Sequence, residues 1–233
     1  MQDIGFDILS DLKLSPNDSF NWENKASSLY CIVTGNISSD LRTVLQTLAH
    51  LGTCYQGVFF VPGMLEYETA TDIQSRTEEL MSLTVAIPNV CMLHHHVVMI
   101  DGIAIIGANG WTNADTKNLT LENLMEAASR DEDTTYLYRS VEKLQKHLDI
   151  KKIIVVTNAV PHPDLYFKET PEVTEAQIPL YEALRSDTEH KVSHWVFGTY
   201  DKIVDTKIDN INYVNNPRPY NQPYWAKRIT LTV

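Results

Sequence analysis

Short uninterrupted apolar runs alternate along the chain with stretches of helical spacing. Ile4 to Leu9 is the first run, followed by a polar loop. Leu29-Tyr30-Cys31-Ile32-Val33 ends at Thr34-Gly35-Asn36, and Val58-Phe59-Phe60-Val61 ends at Pro62-Gly63. Runs of this length bounded by turn residues predict buried strands. Between them Leu41, Val44, Leu45 and Leu48 share one face of a helix that Ser38 or Ser39 can cap and Gly52 can stop. Asp72 to Leu83 predicts a further helix.

From Val90 to Gly107 the pattern changes to short strands, and Asp101-Gly102 between two apolar runs is a hairpin signal. Helical spacing returns from Leu119 to Ala128 and from Thr134 to Leu148, ahead of Ile153-Ile154-Val155-Val156, which ends at Thr157-Asn158. After a Pro-containing loop, Ile178 to Leu184 predicts a helix and His194 to Phe197 a strand ending at Gly198. The tail reads as strands broken by Asp209-Asn210 and by the Asn-Pro-Arg-Pro loop near Pro217. This order predicts one α/β domain over residues 1–233, a layered sandwich of two mixed β-sheets flanked by helices. Strand carboxyl ends line the ligand crevice of such sheets, so a site is expected near Asp11, Asn36, Gly63, Asn158 and Gly198.

Composition narrows the function. With 43% hydrophobic and 21% charged residues, the chain of 233 residues has the makeup of a folded domain rather than a disordered one. A net charge of -11 argues against generic binding to nucleic acid or to anionic membranes. Cys31, Cys54 and Cys91 show no Cys-x-x-Cys spacing and leave one thiol unpaired in any disulfide scheme, which fits a reducing compartment. The opening Met-Gln-Asp-Ile-Gly-Phe-Asp has no basic segment leading into a long apolar one, and no later run nears the ~18 apolar residues of a membrane span. A cytoplasmic protein is expected. The glycosylation triplets at Asn17, Asn36 and Asn118 would matter only in a secreted protein.

The strand-end segments Ser10-Asp11-Leu12-Lys13-Leu14, Thr34-Gly35-Asn36, Pro62-Gly63-Met64-Leu65-Glu66, Val155-Val156-Thr157-Asn158, His194 to Asp201 and Asn216-Pro217-Arg218-Pro219-Tyr220 carry a resemblance. In their order and spacing, the whole chain resembles a calcineurin-like metallophosphoesterase of the small bacterial and phage type. Ile100-Asp101-Gly102 and Gly107 to Thr112 look like connecting segments of that family. The resemblance implies a phosphoester hydrolase using two metal ions, held by Asp-x-His, Gly-Asp, Gly-Asn-His-Glu, a lone His and Gly-His-x-His.

This chain departs from that pattern at most ligands. Asp11 remains, but Lys13 stands at the first His, Asn36 at the bridging Asp, and Met64 and Leu65 at the Asn-His pair. Asn158 stands at the lone His, and Thr199 and Asp201 at the last two. The first metal would be left with Asp11, Lys13, Asn36 and Asp201, and the second with Asn36, Met64, Asn158 and Thr199. A thioether and neutral amide and hydroxyl oxygens compensate little charge on Mg or Mn. Leu65 also removes the imidazole that assists the leaving group in the family. The expectation is a degenerate, catalytically inactive member without a metal cofactor, in which Lys13 replaces the ion between Asp11 and Asp201. It would act as a binding or scaffold module, its partner another protein or a small anion in the vestigial crevice. The alternative is a weak or altered hydrolase of phosphomonoesters or phosphodiesters, with one weakly bound Mn or Mg on Asp11, Asn36 and Asp201. A purely structural subunit is a third reading.

Other features read as structural. On a strand only His94 and His96 share a face, and no neighbouring Cys, Asp or Glu completes a metal set, so the triplet is expected at an exposed junction between strands. Ser10, Ser38 and Ser39 lack a nucleophile elbow and read as caps or turn contacts. Glu66 reads as a helix-start carboxylate in preference to a catalytic remnant, and Glu122, Glu126, Asp131, Glu132 and Asp133 as a solvated helix face and helix start in preference to a surface for a basic partner. Trp111 and Trp195 are expected in the core or a pocket wall; Tyr220, Tyr224 and Trp225 are expected to form an exposed aromatic docking patch.

Overall fold

Strand β1 (Asp3–Leu9) pairs in parallel with β2 (Tyr30–Val33), which pairs in parallel with β3 (Gly57–Phe60), and β3 with β4 (Val90–Met92). The last strand, β11 (Lys227–Thr232), adds antiparallel to β1, completing a five-stranded sheet. The computed structural model describes residues 2–16, 18, 20–111, 121–166, 179–220 and 222–233.

A second sheet has six strands. Its centre is β6 (Ile103–Ala108), β7 (Lys152–Thr157), β8 (Val192–Val196) and β10 (Ile211–Asn215), all parallel. Strands β5 (His96–Ile100) and β9 (Val204–Ile208) close its edges antiparallel. The hairpin turns fall on Asp101-Gly102 and Asp209-Asn210, all four at positive φ, as turns matching strand twist require.

The apolar runs are continuous because both faces of each sheet are covered. Successive side chains alternate faces, so Ile32 points between the sheets with Phe6, Ile8, Val61, Ile105, Ile154 and Val156, while Cys31 and Val33 point outward. On that outer face Val44, Leu48 and Leu51 of α1 (Leu41–Cys54) and Leu80 of α3 (Ile73–Thr84) cover sheet one. Leu137 and Val141 of α4 (Leu121–Leu144) and Leu180 and Ala183 of the 3-10 helix Pro179–Ser186 cover sheet two. Each such buried Val or Leu side chain contributes roughly 1.5–3 kcal/mol.

Several boundaries differ from the sequence reading. Asp40, not Ser38 or Ser39, caps α1 by accepting from Thr43 N, and Ser38 Oγ instead donates to Leu14 O. Gly52 lies inside α1, where a Cβ would sit 2.6 Å from Pro88 O, so close packing rather than a stop explains it. The two helices expected from Leu119 and Thr134 are one, because Asp131-Glu132-Asp133 continue α4 instead of starting a new helix. Two short helices, α2 (Met64–Tyr67) and α5 (Pro163–Tyr166), were hidden within loops. Leu119, Ile178, Asn17 and Asn118 lie outside the described residues. All three cysteines are free thiols, and no helix among the described residues is long and apolar enough to cross a membrane.

Candidate functional site

The loops leaving β1, β2, β3, β7 and β8 meet at one edge of the sandwich. Asp11 N donates to Gly35 O, Lys13 N to Asn36 O and Leu14 N to Ile37 O, so the first two loops run paired. Gly198 N donates to Asn158 O, joining the loops after β8 and β7. Gly35, at φ 77°, and Gly63 bring the second and third loops into contact: a Cβ on Gly63 would lie 2.5 Å from both Asn36 N and Oδ1.

Four non-glycine residues here adopt left-handed backbone: Asp11 (φ 49°), Lys13 (46°), Asn36 (53°) and Thr199 (54°). For a β-branched threonine that conformation is a genuine outlier. Such residues cost about 1–3 kcal/mol each and persist where the surroundings over-determine them, which is characteristic of functional loops.

What over-determines them is a buried polar network. Asn36 Nδ2 donates to Asp11 Oδ1 at 2.7 Å and to Thr199 Oγ1 at 3.3 Å, while Asn36 Oδ1 accepts from Leu65 N at 3.1 Å. Thr199 N also donates to Asp11 Oδ1, at 3.1 Å, and Thr199 Oγ1 donates to Asn158 Oδ1 at 2.7 Å. Asn158 Nδ2 donates to Thr34 O at 2.7 Å. Among the described residues, Asp11 Oδ2 is buried without a hydrogen-bond partner. Burial pushes the Asp11 carboxyl above its ordinary value, partly opposed by the bonds from Asn36 and Thr199 and the charge of Lys13.

Glu66 lies fully inside the third loop and holds the second. Its carboxylate accepts from the backbone N–H groups of Gly63 (2.6 Å), Asn36 (2.9 Å), Ile37 (2.7 Å) and Ser38 (3.3 Å). Burial nevertheless raises this carboxyl to about 7. It fixes the backbone of Asn36 and opens α2, a stronger role than that of a simple helix-start charge.

Of the positions singled out in sequence, Asp11, Asn36, Asn158 and Thr199 are brought together. Leu65 joins them through its backbone, and Met64 packs against the core beneath sheet one. Lys13 and Asp201 lie outside the network. Lys13 Nζ sits 2.7 Å from Asp201 Oδ1, but the two side chains are 53% and 84% exposed and Nζ makes no hydrogen bond to Asp11. A lysine buried between the two carboxylates is therefore not what forms; a surface ion pair does. Beside it, Arg218 Nη1 donates to Leu12 O at 3.0 Å and lies 3.7 Å from Asp18 Oδ2. Each cation at the mouth thus already faces a carboxylate.

At the second ion position that the resemblance implies stand Asn36, Asn158, Thr199 and Met64; the amide and hydroxyl groups are hydrogen-bonded to one another and to Thr34 O and Leu65 N. At the first, Asn36 turns an N–H towards Asp11, and Asp201 is drawn to the surface. Among the described residues, no convergent trio of His, Cys, Asp or Glu includes Asp11 or Asp201.

Sequence reasoning missed a different cluster. His94 and His95 form the turn between β4 and β5, half-buried rather than exposed, and Asp133 of α4 is buried rather than solvated. Periodicity along a strand could not show this, because His95 takes φ 49° and leaves the strand. The expected aromatic patch is also smaller: Tyr224 is buried, its hydroxyl donating to Asn216 O at 2.6 Å, while Tyr220 and Trp225 are 89% and 63% exposed. Trp111 and Trp195 are buried, as expected.

No family model matches the chain, and no curated protein matches it in sequence. Solved structures do. Phosphopantetheinyl hydrolase (PptH) from Mycobacterium tuberculosis superposes with a TM-score of 0.66 at 17% identity, covering 97% of this chain and 96% of that one. A candidate 5′-nucleotidase from Staphylococcus aureus, in complex with alpha-ketoglutarate, gives 0.61 at 11% identity, covering 99% of this chain and 51% of that one. GAP50, described as the anchor in the inner membrane complex of Plasmodium, gives 0.57 at 11% identity, covering 92% and 71%. At these identities the likeness concerns the fold. With its paired mixed sheets, outer helices and loops gathered at the strand ends, the chain has the metallophosphoesterase-like α/β fold.

Proposed function

We propose that this protein is a non-catalytic metallophosphoesterase-like module that binds or scaffolds another protein. The observation that carries the reading is the Asn36 Nδ2 to Asp11 Oδ1 hydrogen bond: where a bridging carboxylate would help hold two cations, an amide points a donor at the surviving one. A cation entering there would meet the positive end of an N–H dipole and would have to break the bonds that hold Asn36, Asn158 and Thr199. GAP50, with the same fold, is described as an anchor, which is in keeping with a non-hydrolytic use of this architecture.

A protein partner is favoured over a small anion because Lys13 and Arg218 already face Asp201 and Asp18. The exposed rings of Tyr220 and Trp225 supply the residue types that anchor protein interfaces. Turnover of bis-p-nitrophenyl phosphate with Mn, beside elemental analysis of protein purified with Mn, tests the reading. The expected result is neither turnover nor retained Mn; both, abolished by Asp11→Ala, would overturn it. Retrieval of a specific partner from native cells, lost in Tyr220→Ser with Trp225→Ser, is expected for the docking face.

One observation favours a second reading. Among the described residues Asp11 Oδ2 makes no hydrogen bond, as suits a weak hydrolase using one Mn or Mg on Asp11, Asn36 and Asp201. That reading requires Asp201 to leave Lys13 and turn inward.

A further inference from the structure

We propose that His94, His95 and Asp133 form a zinc site, separate from the strand-end network. One donor atom of each lies within 4.8 Å of the others. Two imidazoles and a carboxylate oxygen are the donor types of a three-residue zinc site, with water completing the tetrahedron, and are a poor match for oxygen-seeking calcium or magnesium.

The ligands come from two separate parts of the fold. His94 and His95 occupy the turn that carries the chain from sheet one to sheet two, where the left-handed backbone of His95 stacks the two rings 4.3 Å apart at 15°. Asp133 comes from α4, its side chain 2% exposed, with Oδ1 at 2.7 Å from His95 Nε2. The other oxygen, Oδ2, accepts from Gly110 N at 2.8 Å, which fixes the carboxylate towards the histidines, as residues behind metal ligands do. Tyr136 stacks on His95 at 4.6 Å and closes one side.

Two details point to a ligand. Among the described residues, His94 Nδ1 is buried with no hydrogen-bond partner, although a buried ring nitrogen ordinarily finds one. The His95–Asp133 contact is the place where zinc would take over from the shared proton, with the donors opening by a few tenths of an ångström. Bound there, zinc would tie α4 to the link between the sheets.

The test uses the full chain, stripped with EDTA and titrated with ZnCl2 by calorimetry and with CoCl2 by visible absorption. One equivalent of zinc, an intense four-coordinate cobalt spectrum and a raised Tm are expected for the wild type and for Asp11→Asn. Affinity should fall more than about 100-fold in His95→Gln and in Asp133→Asn, since even a residue that only orients a ligand is worth about 10- to 100-fold. His94→Gln, which leaves the His95–Asp133 contact in place, provides an independent arm should either of those variants fold poorly by circular dichroism. Absence of stoichiometric zinc in the wild type, undiminished binding in folded His94→Gln or His95→Gln, or loss of binding in Asp11→Asn would overturn the assignment.

Discussion

Asn36 donates a 2.7 Å hydrogen bond to Asp11 Oδ1, so an amide NH2 in place of a carboxylate oxygen separates this centre from a pair of facing carboxylates. In Asn36→Asp that donor is gone and two buried anions oppose each other, which raises the pKa of one or invites a cation. The variant is expected to melt below the wild type in EDTA and to regain stability with millimolar Mn, whereas the wild type is unmoved by Mn. Thermal melts of both proteins, with and without Mn, provide the check; equal responses would remove the electrostatic reading of this contact.

Glu66 serves four backbone donors at once, which makes it a stability residue whatever the crevice binds. Removing the acceptor strands buried N–H groups that cost about 1–3 kcal/mol each when unsatisfied. Glu66→Ala is expected to lose more than about 3 kcal/mol in urea unfolding, and Glu66→Gln, which keeps one oxygen, markedly less. A loss under about 1 kcal/mol in the alanine variant would mean that the second loop holds its shape without this carboxylate.

The sheets were legible in the sequence because burial on both faces writes itself as unbroken apolar runs: Ile153 to Val156 and Val58 to Val61 could be little else. Convergence of Asp11, Asn36 and Asn158 followed from strand ends lining a crevice. What one chain of letters could not show was which hydrogen bonds the substituted residues make, or that Glu66 reaches back across two loops. Nor could spacing reveal that Asp133, thirty-eight residues from His95, is drawn into the core. Charge patterning assigned Asp133 to solvent with its neighbours Asp131 and Glu132, because local composition cannot register a partner supplied by another element. The Lys13 expectation differs in its burial for a similar reason: Lys13 does pair with Asp201, but its left-handed backbone and the exposed position of Asp201 place the pair in water, and only the charge of Lys13 reaches Asp11.

Lys13→Met tests how little that ion pair holds. Exposed pairs gain modest Coulomb energy and lose side-chain entropy on ordering. The variant is expected to keep its Tm within about 2–3 °C of the wild type, and added salt should narrow even that difference. A larger loss that persists in high salt would show that Lys13 neutralises Asp11 through the crevice and not merely Asp201 at its rim.

His194 and Glu66 give the protein two opposed pH responses in one range. Burial lowers the His194 imidazole from 6.5 to about 4, with Asp205 pulling it up and Lys152 pushing it further down. Its folded value lies below the unfolded one, so its contribution is present above pH 6.5 and is lost as pH falls through 4. Glu66, raised from 4.5 to about 7, does the reverse: its contribution is present below pH 4.5 and is lost as pH rises through 7. Between about pH 4.5 and 6.5 the two slopes oppose, and the wild-type unfolding free energy is expected to vary less than either group alone would require. His194→Gln removes one slope. The stability of that variant relative to the wild type should improve steadily as pH falls from 6.5, by at most about 3 kcal/mol. Urea unfolding of both proteins at half-unit pH steps measures it, and a difference that stays flat across the range would show that the imidazole is charged in the folded state.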